Sequence, residues 1–520
     1  MASKRFMNKA AVLLIAGTML ASTLAGCGSK TPTQSATQNA LAATQEKADN
    51  TPVDINLLIE YTTNEPCPAD DPVLKKLQEI TNTKLNIQWV PQNNIQEKTN
   101  IMIASGDMPE VFNISTTRTP QFSNVAQAGA FWDIKPFINE KNYPNLAGLN
   151  PEAWKATAIK GKNYGVPASS YGAIGGEMFL QYRADWLKKL NLKEPETMAQ
   201  VYDVMKAFKE KDPDGNGKND TIPLSGHCNA EDMGTFWWVQ QVFNNHNGDW
   251  KLVDGKLMPF SLLPGTREAL VWLSNAYKEG LIPQDFAIMK VSQVLDLVAN
   301  NKAGMMANTL ANQWRGTEPL RKAGISDARM QAVPYLIVGE NKKYAPMNSN
   351  ATLTVIPKKV PEAKMKRILK FVDYTRSEEG NRLMKYGLEG QHYKMENGEV
   401  VVLVAEKDLK STNLSGFSGF YEKYGRAKTG GQPADFLEMN KKIIDARLAA
   451  ASLDIGAHLV SDTNAKVGKD INKRIQDVKT QVIMGKLPIT AWDDMVNKLK
   501  TDAEYQKIIT EMNEAYKANN

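Results

Sequence analysis

The sequence predicts an α/β protein of at least two domains that is exported from the cell. Three observations support this. A chain of 520 residues exceeds the size of one ordinary domain. Strand-like and helix-like segments alternate from residue 53 onward, which indicates a mainly parallel sheet. The N-terminus shows basic residues, an apolar run and small residues in the order typical of signal peptides.

The N-terminal segment predicts a lipoprotein. It opens with three basic residues, Lys4, Arg5 and Lys9. Residues 10–21 are mostly apolar but too few to span a bilayer as a mature anchor. The sequence Leu-Ala-Gly-Cys ending at Cys27 resembles a bacterial lipobox, in which the cysteine receives diacylglycerol and an acyl chain such as palmitate. We therefore expect residues 1–26 to be the signal peptide and Cys27 the lipidated N-terminus.

Residues 27–51 form the next predicted segment. They are rich in Ser, Thr, Gln, Asn and Ala and hold almost no large apolar residues, so they cannot offset the entropy of ordering. A disordered tether is predicted. The formal charge of +6 falls to about +3 once the three basic signal residues are removed, and no basic patch implies nucleic acid as a partner. Two further cysteines remain, Cys67 and Cys228, and spacing leaves open whether they form a disulfide.

Periodicity assigns the first α/β segments. Residues 53–61 read as a strand that ends in a proline-containing loop. Asp71 and Pro72 predict the start of a helix whose apolar residues recur at helical spacing. A strand over 84–90, a helix stopped by Gly106 and a strand over 109–114 follow.

The later segments continue this pattern. A strand and a helix are predicted over 178–192, and an amphipathic helix begins at Thr197. Helices are predicted over 265–281, 291–304 and 361–377, with a strand over 351–357. The last quarter is predicted to be almost wholly helical.

Six stretches in order carry a resemblance to a known family: "SGDMPEVF", "YGVPAS", "YRADWLKKLNLKEPETMAQVYDVMKAF", "NNKAGMM", "YGLEGQHY" and "EMNEAYKA". The chain resembles the extracellular solute-binding lipoproteins of ABC sugar importers, in the branch of alginate-binding proteins and long Gram-positive lipoproteins. The resemblance implies a periplasmic-binding-protein-like type II fold: two α/β lobes, a ligand cleft and hinge crossings. It implies lobe 1 over 52–167 and 338–385, and lobe 2 over 168–337 and 386–520. Crossings are expected near Pro167, Val338 and Tyr386.

The same resemblance implies a function and partners. The protein would capture a carbohydrate, an oligosaccharide above all, and deliver it to the permease of an ABC importer. It would be a monomer, not an enzyme, held by its lipid on the outer face of a Gram-positive cell membrane. A secreted polysaccharide hydrolase or lyase stays open as an alternative, since paired carboxylates are hard to identify in one sequence. A peptide-binding lipoprotein of the same fold is a second alternative.

The loop "DPDGNGKND" after the helix at Thr197 predicts a calcium site. Asp212, Asp214, Asn216, Lys218 and Asp220 occupy positions one, three, five, seven and nine of an EF-hand loop, and Gly217 the sharp turn at six. Position twelve is a proline, which has no side-chain ligand. Relatives with a similar loop hold a structural calcium and carry an acidic residue where this chain has Thr221. A plain turn is the alternative, because Asp-Gly and Asn-Gly are strong turn dipeptides.

Side-chain chemistry and position near the ends of predicted strands indicate candidate ligand residues. Aromatic faces stack on sugar rings, amides and carboxylates bind hydroxyls, and arginine suits an acidic sugar. The candidates are Tyr61, Asn64, Asn113, Tyr164, Trp237, Trp238, Trp314, Arg315, Glu389, His392 and Tyr421. A core role is the alternative for the tryptophans, and Trp186 and Trp272 are predicted to be core residues.

Overall fold

The computed structural model describes residues 51–61, 65–91, 94–114, 120–168, 178–347, 352–396, 398–404, 409–419, 423–429, 431–457 and 459–519. The strands are β1 (Val53–Tyr61), β2 (Thr83–Pro91), β3 (Val111–Ile114), β4 (Val166–Pro167), β5 (Phe179–Arg183), β6 (Ile222–Ser225), β7 (Trp250–Val253), β8 (Lys256–Pro259), β9 (Ala303–Asn308), β10 (Met330–Ala332), β11 (Leu336–Val338), β12 (Lys342–Pro346), β13 (Leu353–Val355), β14 (Tyr393–Glu396), β15 (Glu399–Val402) and β16 (Ala451–Ser452).

The α-helices are α1 (Pro72–Thr81), α2 (Ile95–Ser105), α3 (Pro120–Gln127), α4 (Pro144–Ala147), α5 (Pro151–Ala156), α6 (Ala184–Lys189), α7 (Met198–Glu210), α8 (Trp237–Asn244), α9 (Pro264–Lys278), α10 (Val291–Ala299), α11 (Asn312–Lys322), α12 (Glu362–Thr375), α13 (Glu378–Tyr386), α14 (Ala434–Leu448), α15 (Asp462–Ile483), α16 (Thr490–Thr501) and α17 (Ala503–Asn519). None of the described helices has the length and apolar character needed to cross a bilayer.

Local signals in the sequence explain where helices begin and end. The Asp71 carboxylate accepts hydrogen bonds from the first two free amides of α1, at Val73 and Leu74, and Pro72 takes the first helical position. The Thr197 side chain caps α7 by accepting from the Gln200 amide. Gly106 ends α2 in the left-handed region, at φ 75°. These three predictions are confirmed.

Two main sheets organise the chain. The first has the strand order β2-β1-β3-β13-β4 and the second has the order β10-β5-β9-β6. In the first sheet β1, β2 and β3 are parallel, while β13 runs antiparallel to both β3 and β4. The strands β1 to β4 therefore end at the same edge at which β13 begins. We call this edge the carboxyl edge of the first sheet.

Each main sheet has its own hydrophobic core. Helices α1, α12 and α13 cover one face of the first sheet, and α2 and α3 cover the other. The second sheet shares a larger core with α7, α8, α9 and the C-terminal helices α15 to α17. This is the two-lobe type II solute-binding fold that the sequence predicts. Trp186 and Trp272 lie in the second core, as predicted.

Some details of the fold differ from the predictions. The last quarter of the chain is helical only from residue 434, since β14, β15 and the 3-10 helix Lys410–Phe417 come before it. Leu414 and Phe417 pack in the core of the first sheet, although residues 386–520 were assigned to lobe 2. The other lobe boundaries stay predictions. Cys67 and Cys228 are both free, because they are buried in different cores.

Candidate functional site

The carboxyl edge of the first sheet carries a small pocket in which polar side chains alternate with the apolar Leu58, Ile59 and Ile95. Its volume is about 120 Å³. The polar side chains around it are a carboxylate, two amides and two hydroxyls, supplied by Glu60, Gln96, Asn113, Thr99 and Thr352, and Gly416 completes the wall. Partial burial raises the pKa of Glu60. Donors and acceptors that alternate over a short distance are the groups that bind the hydroxyls of a sugar.

A chain of hydrogen bonds holds this pocket in place. Arg376 Nη2 donates to Thr354 Oγ1 at 2.6 Å, and Thr354 Oγ1 in turn donates to Asn113 Oδ1 at 2.7 Å. The Asn113 amide nitrogen then donates to the Gly416 carbonyl at 3.1 Å. Because both ends of the Asn113 amide are engaged, its orientation is fixed. Predicted ligand residue Asn113 thus lies in the pocket and is positioned before any ligand arrives.

Arg376 is the buried anchor of that chain. Its side chain is only 4% exposed, and its Nη1 donates to the carbonyl of Phe417 at 3.0 Å. In the described part of the chain it forms no ion pair, and its Nε has no hydrogen-bond acceptor. Burial lowers the pKa of Arg376 to about 10. The guanidinium is therefore buried with only neutral oxygens as partners of Nη1 and Nη2. Removing its charge from water costs free energy, which other contacts of the fold must offset.

The second sheet presents amides where its strand β9 ends. Asn308 Oδ1 accepts from Asn312 Nδ2 at 2.6 Å, and Gln181 Nε2 donates to the carbonyls of Asn308 and Thr309. Gln181 is fully buried, and its Oε1 lacks a donor among the described residues. This edge therefore combines amides with little net charge.

Three aromatic candidates are core residues in the structure. Trp238 is 2% exposed and packs edge-on against Phe179, Tyr164 is 7% exposed in a core of the first sheet, and Trp314 is 8% exposed. For Trp314 the structure favours the alternative of a core role, because α11 begins at Asn312 and the indole is buried. Sugar contacts at these three residues are not supported by their burial.

The other candidates that the structure describes are more exposed, and among them only Asn113 lines the pocket at the first sheet. Tyr61 is half buried at the end of β1, and Arg315 is exposed on α11. Glu389 is exposed after α13, while His392 Nδ1 accepts a hydrogen bond from the Leu388 amide at 2.9 Å. Trp237 is half buried and lines a different cavity. Asn64, Tyr421 and Cys27 lie outside the described residues.

The loop after α7 folds around Asp212. Its carboxylate accepts hydrogen bonds from the amides of Asn216 and Gly217, at 3.1 and 2.9 Å. The Asn216 amide nitrogen donates to Asp214 at 2.7 Å and to Asp220 at 2.9 Å. A hydrogen bond with Asp214 lowers the pKa of Asp212, and burial raises the pKa of Asp214. Gly217 has φ 78°, the left-handed conformation predicted for the sharp turn.

The donor set of this loop suits calcium, although its carboxylates do not converge. Within the described ranges, no three His, Cys, Asp or Glu side chains form a ready metal cluster. One buried oxygen, Asp214 Oδ1, has no hydrogen-bond partner in the described chain. Carboxylate, amide and carbonyl oxygens are the ligands that Ca²⁺ prefers. Thr221 is turned away, because its hydroxyl donates to the Phe208 carbonyl at 2.6 Å.

Sequence reasoning missed several residues of the site. Glu60 follows apolar residues in a strand and looks like an ordinary surface position. Arg376 is the C-cap residue of α12, a position where a basic side chain is ordinary and does not suggest a buried role. The amides Asn308 and Asn312 flank the connection from β9 to α11, a region for which the sequence predicts no element. Position at a strand end could have flagged Glu60, but only the fold brings Thr354 beside Asn113.

Comparisons with known proteins identify relatives along most of the chain. The model of the family described as "Bacterial extracellular solute-binding protein" matches residues 62–382. Lipoprotein LipO of Bacillus subtilis (strain 168) is 30% identical over 87% of this chain and 90% of its own length. The polygalacturonan/rhamnogalacturonan-binding protein YtcQ of the same organism is 28% identical over 86% of this chain and 89% of its own.

A solved structure shares the fold. The crystal structure of the alginate-binding protein AlgQ2 without calcium ion superposes with a TM-score of 0.63 and 21% identity, over 90% of this chain and 98% of that one. The similarity covers both main sheets and the C-terminal helices, so the architecture extends through almost all described residues. This chain belongs to the family of bacterial extracellular solute-binding proteins.

Proposed function

We propose that this protein captures an oligosaccharide outside the cell and delivers it, as a monomer, to the permease subunits of an ABC importer. The observation that carries the proposal is the preorganised set of polar side chains at the carboxyl edge of the first sheet, whose pocket of about 120 Å³ would hold part of one sugar unit while the rest of the oligosaccharide lies outside it. Its carboxylate, amides and hydroxyls match the alternating donors and acceptors of a sugar. The names of YtcQ, a polygalacturonan/rhamnogalacturonan-binding protein, and AlgQ2, an alginate-binding protein, support the carbohydrate class.

An enzymatic role is set aside. Members of this family bind solutes and pass them on, and the chain belongs to the family along most of its length. The hydrolase or lyase alternative therefore falls. A peptide-binding protein of the same fold is the remaining alternative, and the carbohydrate-binding names of YtcQ and AlgQ2 favour a sugar over a peptide.

The proposal includes a lipid anchor and a structural calcium ion. Cys27 would carry the lipid that holds the protein at the membrane, and the relative LipO, named a lipoprotein, supports this. Asp212, Asp214, Asn216, Asp220 and the carbonyl of Lys218 would hold calcium. The ion would supply positive charge that neutralises three carboxylates and fixes the loop.

A binding screen tests the function. Purified protein is screened by thermal shift against neutral oligosaccharides, uronic acid oligomers and a peptide library. We expect a carbohydrate, and no peptide, to raise the melting temperature through linkage to the folded state. The ligand should be recovered unchanged by chromatography. Glu60→Gln and Asn113→Ala should weaken its binding, each by roughly 1–2 kcal/mol. Stabilisation by peptides alone, or turnover of the sugar, contradicts the proposal.

A further inference from the structure

A second cavity lies within the core of the second sheet, apart from the pocket described above. Its volume is about 210 Å³, and α8, the β7–β8 hairpin, α15 and α17 surround it. The two cavities share no lining residue. At ~30 Å³ for each water molecule, this space equals about seven waters. It is therefore smaller than a drug-sized site and fits a single ring.

Two half-buried tryptophans give the cavity its apolar surface. Trp237 begins α8, and Trp250 begins β7. Gly456 packs against the Trp250 indole so closely that a Cβ at that position would lie 2.7 Å from the ring. The segment around Gly456 thus fixes the position of the Trp250 indole. Rigid indole faces are surfaces on which the apolar face of a sugar ring stacks.

A buried ammonium group forms part of the wall. Lys479 is 7% exposed and donates one hydrogen bond, at 2.7 Å, to the Gln240 amide oxygen. No carboxylate of the described residues forms an ion pair with it, although the charges of Asp249 and Asp232 act on it, and the centroid of the Trp492 ring lies 5.6 Å from Nζ. Burial lowers the pKa of Lys479 to about 8. An ammonium has three donors, so acceptor oxygens are needed in the cavity.

Carboxylates at the rim balance this ammonium. Asp249 is exposed, and its carboxylate bonds to no described residue. Asp232 is also exposed and accepts from the Gly234 amide at 2.7 Å. Glu231 is already paired with Lys469 at 3.0 Å. Two carboxylates therefore lie near one ammonium, so the cavity carries a net negative charge that disfavours an anionic sugar.

We propose that this cavity binds one ring of an uncharged sugar, at a site separate from the pocket of the first sheet. The inference rests on the proposed carbohydrate function. Indole faces pack on the C–H face of the ring, Lys479 donates to ring or hydroxyl oxygens, and Asp249 accepts from hydroxyls. A neutral polyhydroxylated ring is the chemical class that uses all three features together.

Calorimetric titration of the full mature chain at pH 7 tests the proposal. The probes are fructo-, xylo- and malto-oligosaccharides of two to five rings, and galacturonic acid oligomers. For the tightest neutral probe, we expect Trp237→Ala, Asp249→Asn and Lys479→Met each to weaken binding tenfold or more. Two matched controls should bind like the wild type: Trp89→Ala removes a half-buried indole elsewhere, and Lys466→Met removes an exposed lysine of the same helix.

A second measurement avoids any dependence on folding of the Lys479 variant. Oxidative footprinting of the wild-type chain, read by mass spectrometry, should show protection of Trp237 and Trp250 by saturating neutral probe, and none of Trp89. Unprotected indoles together with unchanged affinity in Trp237→Ala and Asp249→Asn overturn the inference. If Glu60→Gln still weakens binding in that case, the proposed function survives. Protection by galacturonic acid oligomers alone overturns the uncharged class, and no binding of any sugar overturns both proposals.

Discussion

The indole of Trp314 packs edge-on against the ring of Phe436, with 5.2 Å between the ring centroids. The guanidinium of Arg321 lies 5.7 Å from the same indole. These contacts join α11 to α14, so Trp314 connects two segments far apart in sequence. Its surroundings are those of a core residue.

Trp314→Ala should therefore reduce stability more than binding. Removing a buried indole leaves a cavity and costs about 3–5 kcal/mol. We expect a clear fall in the free energy of unfolding, measured by denaturant titration. The affinity of the remaining folded protein for its sugar should stay within about twofold. A specific loss of affinity with unchanged stability would show instead that Trp314 contacts the sugar.

Substitution of Arg376 should destabilise the protein, because its guanidinium donates hydrogen bonds to two partners at once. In Arg376→Leu, Thr354 and the Phe417 carbonyl each lose a charged donor, and hydrogen bonds to charged groups contribute roughly 1.5–3 kcal/mol. We expect Arg376→Leu to lower stability by about 2–3 kcal/mol and to weaken sugar binding by releasing Asn113. Arg376→Lys keeps the charge and should recover only part of both. Equal sugar affinity in all three proteins would show that the chain does not position Asn113.

Calcium should stabilise the folded protein. Chelation should lower the melting temperature and added calcium restore it, with a linkage of about 2.7 kcal/mol at a hundredfold excess over the dissociation constant. Asp212→Ala combined with Asp220→Ala should abolish the response. Asp203→Ala, an exposed carboxylate on α7, is the control and should keep it. The plain-turn alternative gains support if wild-type melting curves coincide with and without chelator.

The protein should lose stability in acid because of His246. Burial, together with the nearby Lys251 and Lys342, lowers its pKa from 6.5 to about 4, while Nδ1 lies 3.3 Å from Ser452 Oγ. Between these values the unfolded chain binds the proton and the folded protein does not, so stability falls as pH drops from 6.5 to 4. Discounted for partial exposure, the effect is on the order of 1–2 kcal/mol. His246→Gln should flatten this part of the pH profile; an equal slope in both proteins would exclude His246 as its source.

Substitution of Cys27 should change the location of the protein. Cys27→Ser removes the proposed acylation site, so the protein should appear in the culture medium or remain as an unprocessed precursor. Fractionation and mass spectrometry of the N-terminus distinguish these forms. A fully processed Cys27→Ser protein that stays with the membrane would contradict the lipid anchor.

The sequence predicts local structure well here and predicts the site only in part. Strand β1 and the caps at Asp71 and Thr197 depend on neighbouring residues, and all three are correct. Asn113 is predicted correctly because it lies near the end of a strand. Trp314 was misjudged, since Phe436 is more than a hundred residues away in the chain. The hairpin β14–β15 was missed because its four-residue strands are too short for a periodic signal.

The position of β13 between β3 and β4 has a consequence for how the protein folds during its synthesis. Asn113 meets its partner Thr354 across a separation of 241 residues. The N-terminal part of the chain cannot complete its sheet until residue 355 has been synthesised. Pairing over such a distance is slow to form. The first strands of this sheet therefore depend for their completion on a strand that is synthesised late, so the N-terminal part of the chain folds fully only when most of the chain exists.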